Sequence, residues 1–587
     1  MTVEVVAGEP AVKRNPPEPS AASAPPAGST TFLDRHWRPL VAGAMSLPFA
    51  AVLLAFRAQE PRSSNFGDVA VTELAIQKAL RFRQVVGPYD RFGWSHPGPG
   101  IFYILAIPYA VLGRQASGVL VGAFIVNFAC AVGIIALLGR RAGPKAAIGG
   151  AVIICTFMAL IGVQDVTGAW SPVLITFPAA LFFVLCADVA SGATWTLVPA
   201  LVVGSVLAQT EVGLAGVLVV GLGGAICVHV IARLRGTATW DHRTLARVAI
   251  ASLLVMIVLW TAPIYQQVTG RYGNLGLILQ FFLRHHGHHT LSESFTSLSN
   301  GMLVGLGPSH VGARLGPVPG YEVGLAMLLT GTVAAAAACH RREQRLGRML
   351  SVVIVGAAVV YCISLLRVQD PLYGYLVLWT RSLTLCAALA AMLAIVAPRR
   401  GARRWTTHTS VAGSVLLVAS LAGAAAQVVD EGARAPTHRA YGTLSDAAAG
   451  LAGVMRTSPH QILMCVSSAT AWPYAAGVAA DLIRQGWDVT VEERWLHAFG
   501  DALAPTGQER AAVFVDMAGT QPTISVSPDM TKTAGGMTFR VYVPSASTQP
   551  PVSSTLCPAV PDSSPAPRYA HFRLTHPLLR PGEGARG

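Results

Sequence analysis

Carboxylates placed next to a membrane-sized apolar run are costly to keep there and usually have a task. Asp68 and Glu73 stand in residues 60–100, EPRSSNFGDVAVTELAIQKALRFRQVVGPYDRFGWSHPGPG, directly after the first apolar segment. Asp68 follows the turn-prone Asn65-Phe66-Gly67, where it can cap a helix over VAVTELAIQKAL. Glu73 comes five residues later, within about one and a half turns of that helix. As structural residues the two read as an N-cap and a surface helix position. As chemical residues they offer a base, because a carboxylate in a partly dry cleft can take the proton of an attacking hydroxyl. Asp165, in GVQDVTGAW, is a third acid. It reads either as a loop or helix-end residue, or as a second carboxylate that orients an acceptor or holds a metal.

Cations supply the complementary chemistry. Arg367, in LLRVQDPLYGYL, suits an oxyanion, with Arg284 and Arg271 behind it. A guanidinium fork matches a phosphate better than an ammonium does. The alternative for Arg367 is an arginine snorkelling to lipid headgroups, as Tyr373 and Tyr375 beside it equally fit an aromatic belt. His285, His286, His288 and His289 form RHHGHH. Clustered imidazoles suit zinc, copper or nickel, and Gly287 would permit the turn that ligation needs. The competing reading is a polar loop, or imidazoles touching sugar hydroxyls and phosphate. A divalent metal is therefore left open, and no other cofactor is indicated. His96, in HPGPG, stands close enough to the first loop to join its acids.

The elements that must position these groups are membrane helices. The 587 residues are 52% hydrophobic and only 12% charged, where soluble chains average about a quarter. The net charge of +14 is no nucleic-acid signal, because Lys and Arg cluster in short loops between apolar runs. At about 20 apolar residues per crossing, eleven spans are expected: 39–58, 117–138, 146–163, 172–190, 194–209, 212–233, 246–264, 321–339, 350–367, 374–397 and 408–428. The run 101–113 is short and broken by proline, and fits an interfacial helix. With the N-terminus inside, every dense basic cluster (Arg140 and Arg141; Arg233 and Arg235; Arg341, Arg342 and Arg345; Arg399 and Arg400) falls on the cytoplasmic side. The outer face then receives residues 59–116, 264–320 and 429–587 of a multi-pass plasma-membrane protein.

Three domains are expected: a disordered cytoplasmic tail (1–35), a transmembrane domain (36–430) and an extracytoplasmic α/β domain (431–587) with a loose Pro/Ser-rich end. The tail is not a signal peptide, since the first apolar run starts only near Pro39. QILMCVSS, WDVTVEE and RAAVFVDM read as strands of the last domain, with a helix from Tyr474 to Gln485 between the first two. Of nine cysteines, seven lie in apolar runs as small core residues. Cys465 and Cys557 lie in the last domain and are available for a disulfide if it is outside the cytoplasm; spacing alone does not prove the pairing.

A first span, an outer loop with an Asp-led pair of acids, then His96-Pro97-Gly98-Pro99 with Phe102-Tyr103, resembles the GT-C glycosyltransferase superfamily. That superfamily includes lipid A aminoarabinose transferases, protein O-mannosyltransferases and mycobacterial arabinofuranosyltransferases. Gln209-Thr210-Glu211-Val212-Gly213, Trp260-Thr261-Ala262-Pro263, Gln266-Gln267 and Gly273-Asn274-Leu275 extend the likeness over about residues 35–430. The adjacent Asp-Glu pair of the mannosyltransferases is missing, and the C-terminal region matches no carbohydrate-binding module. The resemblance implies an inverting transfer from a polyprenyl-phosphate sugar donor to an envelope glycan, lipid or protein acceptor on the outer face. It implies Asp68 as base, Glu73 and Asp165 as further acids, Arg367, Arg284 and Arg271 at the donor phosphate, and His96, Gln209, Glu211 and Tyr373 around the substrates. Two other classes compete: a flippase or transporter of a lipid-linked substrate, and a non-catalytic envelope-assembly protein. No nucleotide-binding loop is present, which argues against an ATP-driven transporter. No internal repeat of the kind many secondary transporters carry stands out either.

Overall fold

The computed structural model of the chain describes residues 64–396 and 461–542, interrupted at 237–240, 271–272, 285–286, 304–314, 370, 469, 518–527 and 535–536, with Cys557 and scattered positions in 38–54 and 444–453. The expected tail and the last expected span lie outside these residues, and the first span and the Pro/Ser-rich end largely so.

The chain is a multi-pass membrane protein. Eight helices among the described residues are long and apolar enough to cross a bilayer. They are α3 (Ala116–Ala142), α4 (Pro144–Thr167), α5 (Thr176–Ala190, within a span Ser171–Ala190), α7 (Ala215–Leu234, within Val212–Leu234), α8 (His242–Thr269), α11 (Tyr321–Arg341), α12 (Arg345–Leu365) and α13 (Arg381–Val396, within Gly374–Val396). The expected span 194–209 is the shorter apolar helix Thr194–Thr210, whose main part is α6 (Leu197–Thr210). It falls short of the roughly 20 residues that a perpendicular crossing takes. The run expected to be interfacial is α2 (Gly100–Val111), which carries Pro108 inside it. Two further helices, α9 (Asn274–Arg284) and α10 (Leu291–Leu303), lie between α8 and α11.

The centre of the bundle is α5. Its sequence, TFPAALFFVLCADVA, is apolar all round, which suits a helix with neighbours on every side. It packs against α3, α6, α7, α12 and α13, and Phe177, Phe182 and Phe183 are fully enclosed.

The C-terminal domain is a five-stranded sheet in the order β2-β1-β3-β5-β4. The strands are β1 (Gln461–Val466), β2 (Asp488–Val491), β3 (Ala511–Met517), β4 (Met530–Ala534) and β5 (Met537–Tyr542). The first three pair in parallel, and β4 and β5 form an antiparallel edge hairpin. Helix α14 (Trp472–Arg484) carries the crossover from β1 to β2. Cys465 on β1 is joined to Cys557, with Cα atoms 5.2 Å apart, beside Leu463, Phe514 and Tyr542.

One helix belongs to both domains. In α1 (Gly67–Ala79), Ala70, Val71 and Leu74 enter the core of the sheet domain, whereas Ala75, Ile76 and Ala79 pack on α2 and α3. The expected surface helix is buried on two faces. Its cap also differs from expectation: Phe66 is the N-cap residue, no side chain closes the end, and Asp68 lies one position inside the first turn.

Candidate active site

Residues 87–96 fold back on themselves as a strap. The Gly87 N–H donates to the His96 carbonyl (2.9 Å), the His96 N–H to the Pro88 carbonyl (2.7 Å) and the Asp90 N–H to the Trp94 carbonyl (2.9 Å). The strap is clamped from the bundle. Asn274 Oδ1 accepts from the Ser95 N–H at 2.9 Å while its Nδ2 donates to the Ser95 carbonyl at 2.7 Å. Gln266 Oε1 in turn accepts from the Asn274 N–H at 2.9 Å. Gln209 Nε2 donates to the Leu259 carbonyl at 2.8 Å, and its Oε1 accepts from the Gly100 N–H at 3.2 Å. A Cβ on Gly98 would stand 2.5 Å from Gln209 Oε1, so only glycine fits there. The short motifs that carry the superfamily likeness thus meet around one loop. Gln209, expected at the substrates, spends its amide on that loop and on α8.

Neighbours on extended backbone point to opposite sides, and the strap uses both. Tyr89 faces α1 and the sheet domain. Its hydroxyl donates to Asp68 Oδ1 at 2.5 Å, and its ring meets Trp472 and His497 edge-on at 6.2 and 6.3 Å. Asp68 is half-buried, and that burial pushes its pKa above the ordinary carboxylate range, the Tyr89 hydrogen bond partly opposing.

Asp90 faces His96 and Glu211. Burial pushes Asp90 up to about 6, against the attraction of His96 and the Phe92 N–H that donates to its Oδ1 at 2.8 Å. Glu211, just past the end of α6, is pushed up to about 7, again by burial. His96 is pushed down to about 4 by burial, so its ring is neutral at pH 7. Its Nδ1 accepts from the Val212 N–H at 3.0 Å, which places the ring proton on Nε2, 3.6 Å from Glu211 Oε2. The sequence brought forward His96 and Glu211 but passed over Asp90, whose only signal was its place six residues before His96.

Arg91 completes this side and was also missed. Its guanidinium lies over the rings of Phe92 (4.8 Å), Tyr373 (5.1 Å) and Tyr375 (5.9 Å), and Nη2 donates to the Gln369 carbonyl at 3.3 Å. Tyr373 and Tyr375 stack at 5.9 Å. Arg367 lies two residues before Gln369, exposed and with no side-chain partner among the described residues. The histidine loop docks on the same segment. The Gly287 N–H donates to the Arg367 carbonyl at 3.2 Å, and a Cβ on Gly287 would fall 1.6 Å from the Val368 oxygen. His288 is exposed and His289 Nδ1 lies 3.7 Å from Glu293 Oε2; His285 and His286 are outside the described residues. Among the described residues no group of three or more His, Cys, Asp and Glu side chains is arranged to hold a metal ion.

The other expected acids are engaged elsewhere. Glu73 is fully buried and accepts from Asn65 Nδ2 (2.6 Å), Tyr109 Oη (2.9 Å) and Arg484 Nη1 (2.5 Å). Asp165 is not in a loop: α4 continues past a kink at Gly162, and Asp165 Oδ2 receives Arg381 Nη1 at 2.6 Å inside the bundle. Arg284 ends α9 on an exposed face, and Arg271 lies outside the described residues. What the structure gathers at the strap is three carboxyl groups with raised proton affinity, a neutral imidazole, and a stacked arginine with a free arginine close by in sequence. Such a set can accept a proton and hold an oxyanion.

No protein-family model matches the chain, and no curated protein sequence matches it. Among solved structures it is similar to ArnT from Cupriavidus metallidurans bound to undecaprenyl phosphate, at 13% identity and a TM-score of 0.54, over 89% of this chain and 99% of that one. The apo form of that protein gives 12% identity and a TM-score of 0.51, over 89% and 98%. The chain therefore shares its fold with that protein.

Proposed function

We propose that the protein is a membrane glycosyltransferase that takes a sugar from a polyprenyl-phosphate donor and inverts the anomeric carbon during transfer to an envelope acceptor. The observation that carries this reading is the strap itself, which carries Asp90 and Arg91 and meets Asp68 of α1 and Glu211 at the end of α6 on its two sides, in a fold shared with a protein that binds undecaprenyl phosphate.

In this reading Asp68 is the base. Half-burial raises its affinity for a proton, while the Tyr89 hydroxyl keeps the carboxylate oriented. The acceptor hydroxyl gives its proton to Asp68 as its oxygen attacks the anomeric carbon, and the bond to the donor phosphate breaks. Arg91, held flat by its aromatic neighbours, presents its remaining N–H groups to the departing phosphate, with Arg367 as a second cation. Glu211, raised to about 7, is close to half-protonated at neutral pH, which lessens its repulsion of that anion. The N-terminus lies in the cytoplasm and the sheet domain outside it, as the loop charges indicate, and the acceptor approaches along the joint between α1 and that domain.

The test is mass spectrometry of lipids extracted from the purified protein. A polyprenyl phosphate, with or without sugar, is expected with the native chain and severalfold less with Arg91→Gln. Absence of any such lipid from well-folded native protein, even after it is supplied, would overturn the reading.

A further inference from the structure

Two open clefts adjoin at the joint between α1, α2 and the sheet domain. They share Gln77, Arg81 and Ile483 in their walls; Arg83 lines one and Arg114 the other. Arg81, Arg83 and Arg114 are all exposed, and none has a side-chain partner among the described residues. Arg484, also in the wall, is spent on Glu73 and Asp481. The one exposed acid in the lining is Asp488. The clefts therefore keep an excess of unneutralised cation.

Apolar surface borders these cations directly. Phe82, between Arg81 and Arg83, is 84% exposed and its ring lies 6.1 Å from that of Tyr103 on α2. The outer face of α2 leaves Ile107 and Val111 at 69% and 81% exposure, and the chain then reaches Arg114. Large bare side chains beside three unpaired guanidinium groups are poorly suited to water. They match a helix lying in the interface, with its apolar face among acyl chains and its cations at phosphate level. A protein partner would have to supply both a hydrophobic face and an anion in that order; a phospholipid has both by constitution.

We propose that Arg81, Arg83 and Arg114 bind the phosphate of an acidic phospholipid whose chains cover Phe82 and the outer face of α2, seating the interdomain joint on the bilayer. This site is separate from the strap and does not depend on the transfer reaction.

The test uses the full chain in neutral detergent, titrated with phosphatidylglycerol, with phosphatidylcholine or with glycerol 1-phosphate, and read by native mass spectrometry and by the unfolding midpoint. Phosphatidylglycerol is expected to be retained at least fivefold over phosphatidylcholine and to raise the midpoint, and glycerol 1-phosphate, which lacks chains, is expected to do neither. The triple variant Arg81→Gln/Arg83→Gln/Arg114→Gln should lose the preference, and the triple Arg→Lys variant should keep most of it. Unchanged preference in the glutamine variant would overturn the proposal. So would full displacement of the lipid by glycerol 1-phosphate, which would mark a site for free phosphate. Should the glutamine triple fail to fold, Arg114→Glu alone must still halve the preference, or the proposal fails.

Discussion

Arg484 of the sheet domain reaches across 411 residues of sequence to Glu73 of α1, Nη1 to Oε1 at 2.5 Å, and also binds Asp481. Ser64 donates to Asp481, and Tyr109 and Asn65 donate to Glu73, so the two acids and one base form an enclosed network that ties the sheet domain to the bundle. Removing the cation would leave two buried carboxyl groups facing each other. Loss of one partner from a buried pair costs about 3–5 kcal/mol. Arg484→Met is therefore expected to lower the unfolding midpoint strongly. Glu73→Gln, which leaves Arg484 paired with Asp481, should lower it less. The check is thermal unfolding of both variants in one detergent. If Glu73→Gln instead abolished transfer with no change in midpoint, Glu73 would belong to the chemistry and not to the joint.

Asp68 gives the opposite pattern. Among the described residues its one side-chain partner is the Tyr89 hydroxyl, and it is only half-buried. Asp68→Asn keeps the shape and a hydrogen-bonding group while removing the base. Transfer in vesicles supplied with a lipid-linked sugar is expected to fall by about 10²–10⁴-fold, with the unfolding midpoint unchanged. Tyr89→Phe should cost far less. Retained transfer by Asp68→Asn would move the proton acceptor to Asp90 or Glu211.

Much of this was legible in the sequence, for physical reasons that can be named. Long apolar runs announce their crossings, because a bilayer leaves backbone few other choices. Alternation and β-branching marked β1, β2 and β3, whereas β4 and β5, MTKTA and MTFRVY, were passed over. Gly535-Gly536 between them was the available hairpin signal. The pairings were not legible. Nothing local in TELAIQ says that Glu73 will find Arg484, since an ion pair over that separation exists only once the sheet domain docks. Arg91 and Asp90 were overlooked because a charged pair in a turn-rich loop ordinarily means solvent. Only the clamp by Asn274 and the arrival of Tyr373 make it otherwise.

The strap also predicts a pH response. Glu211 is raised from 4.5 to about 7 in the folded chain, so between those values the folded state holds more proton than the unfolded state. Stability then falls as pH rises through that window and levels off above it. Asp90, raised from 3.8 to about 6, acts in the same sense, while His96, lowered from 6.5 to about 4, acts in the opposite one. Glu211→Gln removes one of the falling contributions. Relative to the native chain, the variant should therefore gain up to about 3 kcal/mol between pH 4.5 and pH 7. Unfolding midpoints at pH 5 and pH 7.5 test this, and a gap between the two proteins that stays constant with pH would refute it.

The Cys465–Cys557 bridge closes a loop of 92 residues around the sheet. In the chain-entropy account a loop of that length contributes about 4–5 kcal/mol by restricting the unfolded chain. Cys557→Ser should lower the midpoint of the sheet domain and make it insensitive to reductant, while the bundle unfolds as before. Equal midpoints with and without reductant in the native protein would count against a bridge of that strength.

Asp165 tests the boundary between structure and chemistry most directly. The superfamily likeness implied a second acid that orients the acceptor or holds a metal, yet Asp165 is 2% exposed and its partner Arg381 is wholly enclosed. Arg381 Nε also reaches Thr176 Oγ1 at 3.4 Å, joining α4, α5 and α13 at one point in the bundle. Asp165→Asn removes the charge that compensates a buried guanidinium, at a cost of about 3–5 kcal/mol. Yield and unfolding midpoint should drop together, while transfer per folded molecule stays within a fewfold of native. Asp165→Asn/Arg381→Met, which deletes both charges at similar volume, should recover most of the lost midpoint, as matched apolar replacements of buried pairs do. A double variant that regains stability but not transfer would return Asp165 to the reaction. One that regains both would confine it to the core.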